Sequence, residues 1–177
     1  DEEIEFVMET ILERGGKVKN LYDATGNKIS YYQINATFFS ALGENENKLV
    51  LARALQLFMP GIPQVWYLDL FAGKNNNEAA NKGGSSSHKE INRTSLNVSE
   101  IENGLKRKVV ANQLQLMRLR NTSKAFLGKM TIHDSLEKEI SISWTNENCI
   151  AKLEANLIDF SFKVSHSEND ISTELIF

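Results

Sequence analysis

The chain has 177 residues, a formal net charge of −3 and a hydrophobic content of 41%, values that are typical of a globular protein. Its lysines and arginines are scattered along the sequence rather than clustered, which argues against a nucleic-acid-binding surface. No apolar run approaches the roughly 20 residues that a membrane span requires.

The first predicted elements are a helix and a hairpin. Apolar residues recur at helical spacing in residues 2–14, and the pair Gly15-Gly16 follows as a stop signal. Residues 16–32 favour a β-hairpin, because apolar residues flank the turn-rich sequence DATGN at positions 23–27. An irregular loop is the competing interpretation of this segment.

The middle of the chain predicts a helix, a strand and a loop. Residues 47–59 include LVLARALQLFM, which is apolar nearly all round and indicates a helix packed on more than one side. The apolar run from Ile62 to Leu70 is too short for an ordinary helix and favours a buried parallel strand. Residues 74–90 are rich in Asn, Lys, Gly and Ser, which predicts a long surface loop.

The last third predicts a long helix and a β-sheet. The helix covers about residues 98–121, with Asn97 or Ser99 as its N-cap. Apolar and polar residues then alternate at 139–144, 149–154, 159–164 and 171–177, which predicts an antiparallel meander of about four strands packed on that helix. Ile150 and Leu153 differ in parity, so we expect a bulge or register adjustment there.

Several conspicuous side chains have simple structural interpretations. Trp66 and Trp144 lie in apolar strand patterns and are expected in the core. The single cysteine, Cys149, excludes an intrachain disulfide framework and is expected to be a small buried residue. The three histidines are far apart and have no further ligands at metal-binding spacing, so no metal site is expected. The N-terminal sequence DEEIEF lacks the features of a signal peptide, which favours a cytoplasmic location.

Four segments carry a family resemblance. They are MPGIPQVWYLDLFAGKNN (59–76), YQINATFFSALGENE (32–46), KEINRTSL (89–96) and RLRNTSKAF (118–126). Together they resemble, in order and spacing, the sucrose-phosphorylase-like branch of the α-amylase superfamily, glycoside hydrolase family 13. The resemblance implies an α+β chain. It would comprise the last strand and helices of an incomplete (β/α)8 barrel in residues 1–126, and a small antiparallel β domain in residues 127–177.

The resemblance also implies a reaction. In that family a carboxylate nucleophile and an acid/base glutamate transfer a glucosyl group to phosphate with retention, and an aspartate in a His-Asp pair supports the transition state. The sole His-Asp pair here, His133-Asp134, lies after the long helix and is expected to be a turn. No catalytic residue is therefore expected in this chain, which would be an inactive C-terminal part of a glucoside phosphorylase.

Three residues match positions that bind substrate in the family. Arg93 matches the arginine of the glucosyl subsite, where a guanidinium suits hydroxyl and phosphate oxygens; the alternative is a surface arginine that caps a loop. Tyr32 and Gln33 match the mobile acceptor-side loop, and a half-buried hairpin position is the alternative for Tyr32. Ser30 stands where sucrose phosphorylases often have aspartate, so the acceptor stays open between fructose, phosphorylated fructose, glycerol and glycerate.

The sequence is compatible with two classes of function. The first is part of an enzyme whose partners are inorganic phosphate and a glucoside, without a cofactor. The second is a non-enzymatic α+β module that binds a partner through a hydrophobic face. Self-association is also expected, because the strand edge and apolar patch around Val65, Trp66 and Leu68 would lack neighbours. The alternative is that the helix of residues 2–14 folds back and covers the patch within one chain.

Overall fold

The computed structural model describes residues 2–82, 84–169 and 171–177. These residues form two compact units, each built from two stretches of the chain. The first unit comprises Asp1–Asn45 and Val65–Leu105, and the second comprises Glu46–Gln64 and Lys106–Phe177. The α+β fold class predicted from the sequence is confirmed. No helix in the described ranges is long and apolar enough to cross a membrane.

The first unit begins with the predicted helix and hairpin. Helix α1 spans Glu2–Glu13 and ends in two backbone hydrogen bonds, Gly16 N to Ile11 O and Gly15 N to Leu12 O. This Schellman arrangement requires a left-handed residue after the helix, and Gly15 supplies it with φ +75°. The antiparallel strands β1, Lys17–Tyr22, and β2, Lys28–Asn35, follow.

The hairpin turn is held by one carboxylate. The Thr25 hydroxyl and the backbone amides of Thr25 and Asn27 donate hydrogen bonds to Asp23 Oδ1 at 2.7–2.8 Å. These bonds, that of the Thr25 hydroxyl above all, lower the pKa of Asp23. A hairpin is therefore correct, and the irregular-loop alternative is not.

The remainder of this unit consists of short helices. Their bounds are α2, Phe38–Ala41; α4, Tyr67–Leu70; α5, Asn77–Lys82; a 3-10 segment, Gly84–Asn92; and α6, Val98–Gly104. Asn97 caps α6 in a capping box with Glu100, as one of the two sequence alternatives predicted.

Two predictions for the middle of the chain are wrong. The run Ile62–Leu70 is not a strand: residues 62–66 are irregular and α4 begins at Tyr67. A strand requires hydrogen-bonded neighbours, and none of the described strands pairs with this run. Residues 74–90 are not one structureless loop, because α5 and the 3-10 segment occupy most of them.

The predicted long helix is two helices. Helix α6 ends at Gly104, and α7 spans Lys108–Thr122. The division between the two units falls after Leu105, so the interruption lets α6 and α7 belong to different units. Gly104 also packs closely on Phe71, since an added Cβ would lie 2.5 Å from that ring.

The second unit combines helices with a five-stranded sheet. Helix α3, Glu46–Phe58, packs on α7, and the 3-10 segment Lys124–Leu127 leads into the sheet. The strands are β3, Lys129–His133; β4, Glu139–Asn146; β5, Cys149–Asn156; β6, Phe162–Glu168; and β7, Ile171–Leu175. They are antiparallel and neighbours in sequence order.

The sheet corrects four sequence expectations: the number of strands, a turn at His133, a bulge between Ile150 and Leu153, and packing on the long helix. Strand β3 was missed, so His133 ends a strand instead of lying in a turn. The pairing of β4 with β5 runs without a bulge, because Ile150 faces outward while Leu153 faces inward. The sheet contacts α3 and the 3-10 segment Lys124–Leu127 more extensively than it contacts α7.

The tryptophan and cysteine expectations had mixed outcomes. Trp144 and Cys149 are each 7% exposed, which confirms both as buried residues. Trp66 is 48% exposed, so its assignment to the core was wrong.

Candidate functional site

The three candidate binding residues lie in the first unit. Tyr32 and Gln33 are in β2, and Arg93 follows the 3-10 segment directly. The Arg93 side chain is exposed, and its closest ion pair is to Glu90 at 3.6 Å. A guanidinium that is exposed and only loosely paired can still form new hydrogen bonds with a ligand.

A β-bulge sets the direction of Tyr32. Strand pairing runs from Lys19 opposite Gln33 to Asn20 opposite Tyr31, so Tyr32 is left without a partner residue. A bulge of this kind disrupts the alternation of side chains and re-aims one of them. The Tyr32 side chain is 63% exposed, and the Lys19 ammonium lies 5.6 Å from its ring centroid. The half-buried alternative for Tyr32 is therefore wrong.

Asn92 fixes the backbone next to Arg93. Its side-chain Nδ2 donates a 3.3 Å hydrogen bond to the carbonyl oxygen of Ala36, just beyond β2. Its own carbonyl oxygen accepts a 2.9 Å bond from Trp66 Nε1. Two segments that are distant in sequence are thus joined immediately before Arg93, so the backbone there is held from both sides.

A second tie lies on the other side of Arg93. The Tyr67 hydroxyl donates to the carbonyl oxygen of Thr94 at 2.9 Å, and Asn76 Nδ2 donates to Thr94 Oγ1 at 3.3 Å. The Asn76 backbone N–H donates to the carbonyl oxygen of Ile91 at 2.8 Å. Arg93 therefore extends from a short peptide whose flanking residues are all hydrogen-bonded to neighbouring segments.

Asn75 and Asp69 hold the segment that follows β2. The Thr37 backbone N–H donates to Asn75 Oδ1, and the Phe38 N–H donates to Asp69 Oδ1, both at 2.7 Å. The Asn75 N–H in turn donates to Ser40 Oγ at 3.0 Å. The Asp69 carboxylate is thus engaged with the N-terminus of α2, a structural role.

Sequence reasoning missed this asparagine framework. The composition of residues 74–90, which include the run Lys74-Asn75-Asn76-Asn77, predicts a polar surface loop because apolar residues are almost absent. The feature that could have indicated this framework is the asparagine side-chain amide, which both donates and accepts hydrogen bonds and can therefore join two backbone segments. The partner segments are remote in sequence, so composition alone did not reveal them.

The remaining polar clusters do not resemble a metal site. Across the described ranges, no group of three His, Cys, Asp or Glu side chains could hold a metal ion. His133 lies in the second unit, where its Nε2 is 2.7 Å from Ser143 Oγ across the pair β3–β4. His133 of the His-Asp pair thus belongs to the sheet, and Asp134 follows the end of β3.

Comparison with known proteins identifies relatives across almost the whole chain. A sucrose 6(F)-phosphate phosphorylase of Ilumatobacter coccineus is 52% identical over 99% of this chain. A sucrose phosphorylase of Streptococcus mutans is 38% identical over 98% of it. The crystal structure of sucrose 6F-phosphate phosphorylase from Thermoanaerobacter thermosaccharolyticum superposes with a TM-score of 0.89 at 32% identity, over 98% of this chain and 36% of that chain. No family model matches the chain.

These similarities define the class first: the chain is homologous to glucoside phosphorylases. More closely, its relatives are sucrose phosphorylases and sucrose 6(F)-phosphate phosphorylases, and it matches their C-terminal region, as the sequence motifs predicted. The chain spans about a third of the length of these relatives, 34% of the I. coccineus protein and 37% of the S. mutans protein.

Proposed function

We propose that this chain is the C-terminal part of a retaining glucoside phosphorylase of the α-amylase superfamily. The whole protein would transfer a glucosyl group from sucrose or a related glucoside to inorganic phosphate, giving α-glucose 1-phosphate. The observation that carries the proposal is the 52% identity over 99% of the chain to a protein named as a phosphorylase. The non-enzymatic module is the less favoured alternative, because nothing in the described residues supports it over an enzyme.

The proposed role of Arg93 is to bind the glucosyl group. Its guanidinium carries five donors in a fixed plane, which suits the oxygens of a sugar or phosphate. The framework of Asn76, Asn92, Trp66 and Tyr67 supports this role, because it fixes the peptide from which Arg93 extends. A binding arginine requires such positioning, since small displacements weaken directed hydrogen bonds.

Tyr32 and Gln33 are proposed to line the acceptor side of the same site. The bulge at Tyr32 and the exposure of its ring support this role, because an aromatic face pointing to solvent offers a platform for a sugar. Gln33 follows it directly and contributes both a donor and an acceptor.

The catalytic carboxylates are proposed to come from other parts of the complete protein. In this view residues 1–126 belong to its (β/α)8 barrel and residues 127–177 form its C-terminal β domain. A cytoplasmic location is part of the same proposal. The isolated chain is then inactive, since binding residues alone cannot form a glucosyl-enzyme intermediate.

One assay tests the proposal. The complete protein is incubated with inorganic phosphate and either sucrose, sucrose 6F-phosphate, glucosylglycerol or glucosylglycerate, and α-glucose 1-phosphate is measured. Phosphorolysis of at least one glucoside is expected, with none by the purified 177-residue chain. Failure of the complete protein on all four would overturn the proposed reaction, whereas activity of the isolated chain would overturn only the location of the carboxylates.

A further inference from the structure

The β1–β2 hairpin carries an unpaired positive charge beside the proposed acceptor residues. Residues 17–35 contain three lysines and one aspartate, and that aspartate is engaged in the turn. Lys19 is exposed and forms no ion pair with any of the described residues. An ammonium group in this state can bind an anion without first giving up a carboxylate partner.

Strand pairing and the bulge bring this charge close to the proposed acceptor residues. Lys19 and Gln33 are directly paired, so their side chains share one face of the hairpin. In a regular strand the ring of Tyr32 would point to the opposite face. The Lys19 Nζ nevertheless lies 5.6 Å from that ring, within cation–π distance. Lysine, tyrosine and glutamine therefore form one constellation on the hairpin.

The ring contact also limits where the ammonium can go. A free lysine on a surface strand samples many rotamers and loses that freedom when it binds a ligand. Attraction to the ring of Tyr32 favours rotamers that keep Nζ close to the residue that is proposed to face the acceptor. The charge is therefore partly positioned in advance, which is the condition for a specific contact rather than a general electrostatic attraction.

We propose that Lys19 is a specificity-determining residue that binds a phosphate group on the acceptor side of the site. The inference rests on the proposed function and deepens it by naming a residue for an anionic ligand. The phosphate has two possible sources, a phosphorylated leaving sugar or the inorganic phosphate that receives the glucosyl group. Both present the same tetrahedral anion, and an ammonium recognises either one as a point charge.

The test compares three variants of the complete protein. Lys19→Met removes the charge and keeps an unbranched side chain of similar length. Lys19→Arg keeps the charge. Lys28→Met is the matched control, because Lys28 lies on the same hairpin but over the ring of Tyr31, 3.6 Å from its centroid. Thermal unfolding of each variant checks that the complete protein stays folded.

The assay measures kcat and KM for sucrose 6F-phosphate, for sucrose and for inorganic phosphate. With Lys19→Met we expect a rise of about tenfold in KM for one phosphate-bearing reactant, equivalent to about 1.4 kcal/mol, with kcat nearly unchanged. A rise in KM for sucrose 6F-phosphate shows that Lys19 binds the phosphate of the leaving sugar. A rise in KM for inorganic phosphate shows that Lys19 binds the phosphate that receives the glucosyl group. Lys19→Arg should restore most of the affinity, and Lys28→Met should leave both KM values within about twofold.

Three results would overturn the inference. The first is a change below about twofold for both phosphate-bearing reactants in Lys19→Met. The second is an equal rise in KM for neutral sucrose in Lys19→Met. The third is an equal rise in KM for the phosphate-bearing reactant in Lys28→Met. Each leaves the proposed function intact, because that function depends on whether the unaltered protein carries out phosphorolysis at all.

Discussion

The indole nitrogen of Trp144 donates a 2.7 Å hydrogen bond to the backbone carbonyl oxygen of Phe58. Phe58 is the last residue of α3, and Trp144 lies in β4, so the bond joins the helices of the second unit to its sheet. Phe126 lies between the two, with ring centroids 5.2 Å from Phe58 and 5.8 Å from Trp144. The hydrogen bond and the ring contacts of Phe126 together connect α3 to the sheet of the second unit.

Trp144→Phe should therefore destabilise the second unit. The substitution keeps an aromatic ring but leaves the carbonyl oxygen of Phe58 without its donor in a buried position, at a cost of about 1–3 kcal/mol. Urea unfolding of the 177-residue chain, followed by circular dichroism, measures the loss. Thr145→Ser, on the exposed neighbour, is the control and should change the free energy of unfolding by no more than about 0.5 kcal/mol. Equal effects of the two substitutions would contradict this role of the hydrogen bond.

Leu153→Ala should be more damaging than any change on the outer face of β5. Leu153 pairs with Val164 on β6, and both are fully buried. Truncation of a buried leucine removes packed methyl groups and leaves a cavity, at a cost of about 2–5 kcal/mol. Ile150→Ala is the matched control on the same strand, because Ile150 is 43% exposed. Similar free energies of unfolding for the two variants would show that the inner face of this sheet is misassigned.

Local patterns predicted much of this fold. The helical spacing of residues 2–14 with Gly15 as terminator gave α1, and the turn sequence DATGN gave the hairpin, because each depends on residues close together in the chain. Alternation likewise found the strands β4 to β7. Alternation missed β3, Lys129–His133, because this strand is short and mostly exposed and its residues show little periodicity.

Tertiary relationships account for the errors. The run Ile62–Leu70 has a strand-like composition, but strands form only beside other strands. The asparagine ties around Arg93 join segments that are up to 56 residues apart in sequence, as in the bond from Asn92 to Ala36. No local pattern encodes such a pairing. The candidate binding residues themselves came from family resemblance, and their roles stay predictions.

Arg93→Ala in the complete protein should reduce phosphorolysis without unfolding it. Loss of charge-assisted hydrogen bonds to substrate, each worth about 1.5–3 kcal/mol, should lower kcat/KM at least about tenfold. Stability should change little, because the contact with Glu90 is exposed and long. Lys89→Ala removes an exposed positive charge from the same segment and serves as the control. An unchanged kcat/KM in Arg93→Ala would leave only the loop-capping interpretation.

Self-association of the isolated chain is the last prediction, and the structure changes which residues are tested. Leu68 is 2% exposed and so is already covered, whereas Ile62 is 95% and Trp66 48% exposed. Exposed apolar side chains favour association because contact removes them from water. Sedimentation across at least a tenfold range of protein concentration should therefore show an increase in mean mass.

Ile62→Asp provides the sharper form of this experiment. A charge at so exposed a position should leave the fold intact but oppose burial in a contact between copies, because a desolvated carboxylate without a partner is costly. Association should weaken in this variant. Ile132→Asp is the matched control, since Ile132 is also exposed, at 67%, but lies in the sheet of β3–β7. A monomer throughout the concentration range would contradict self-association, and equal weakening by both substitutions would contradict the assignment to Ile62.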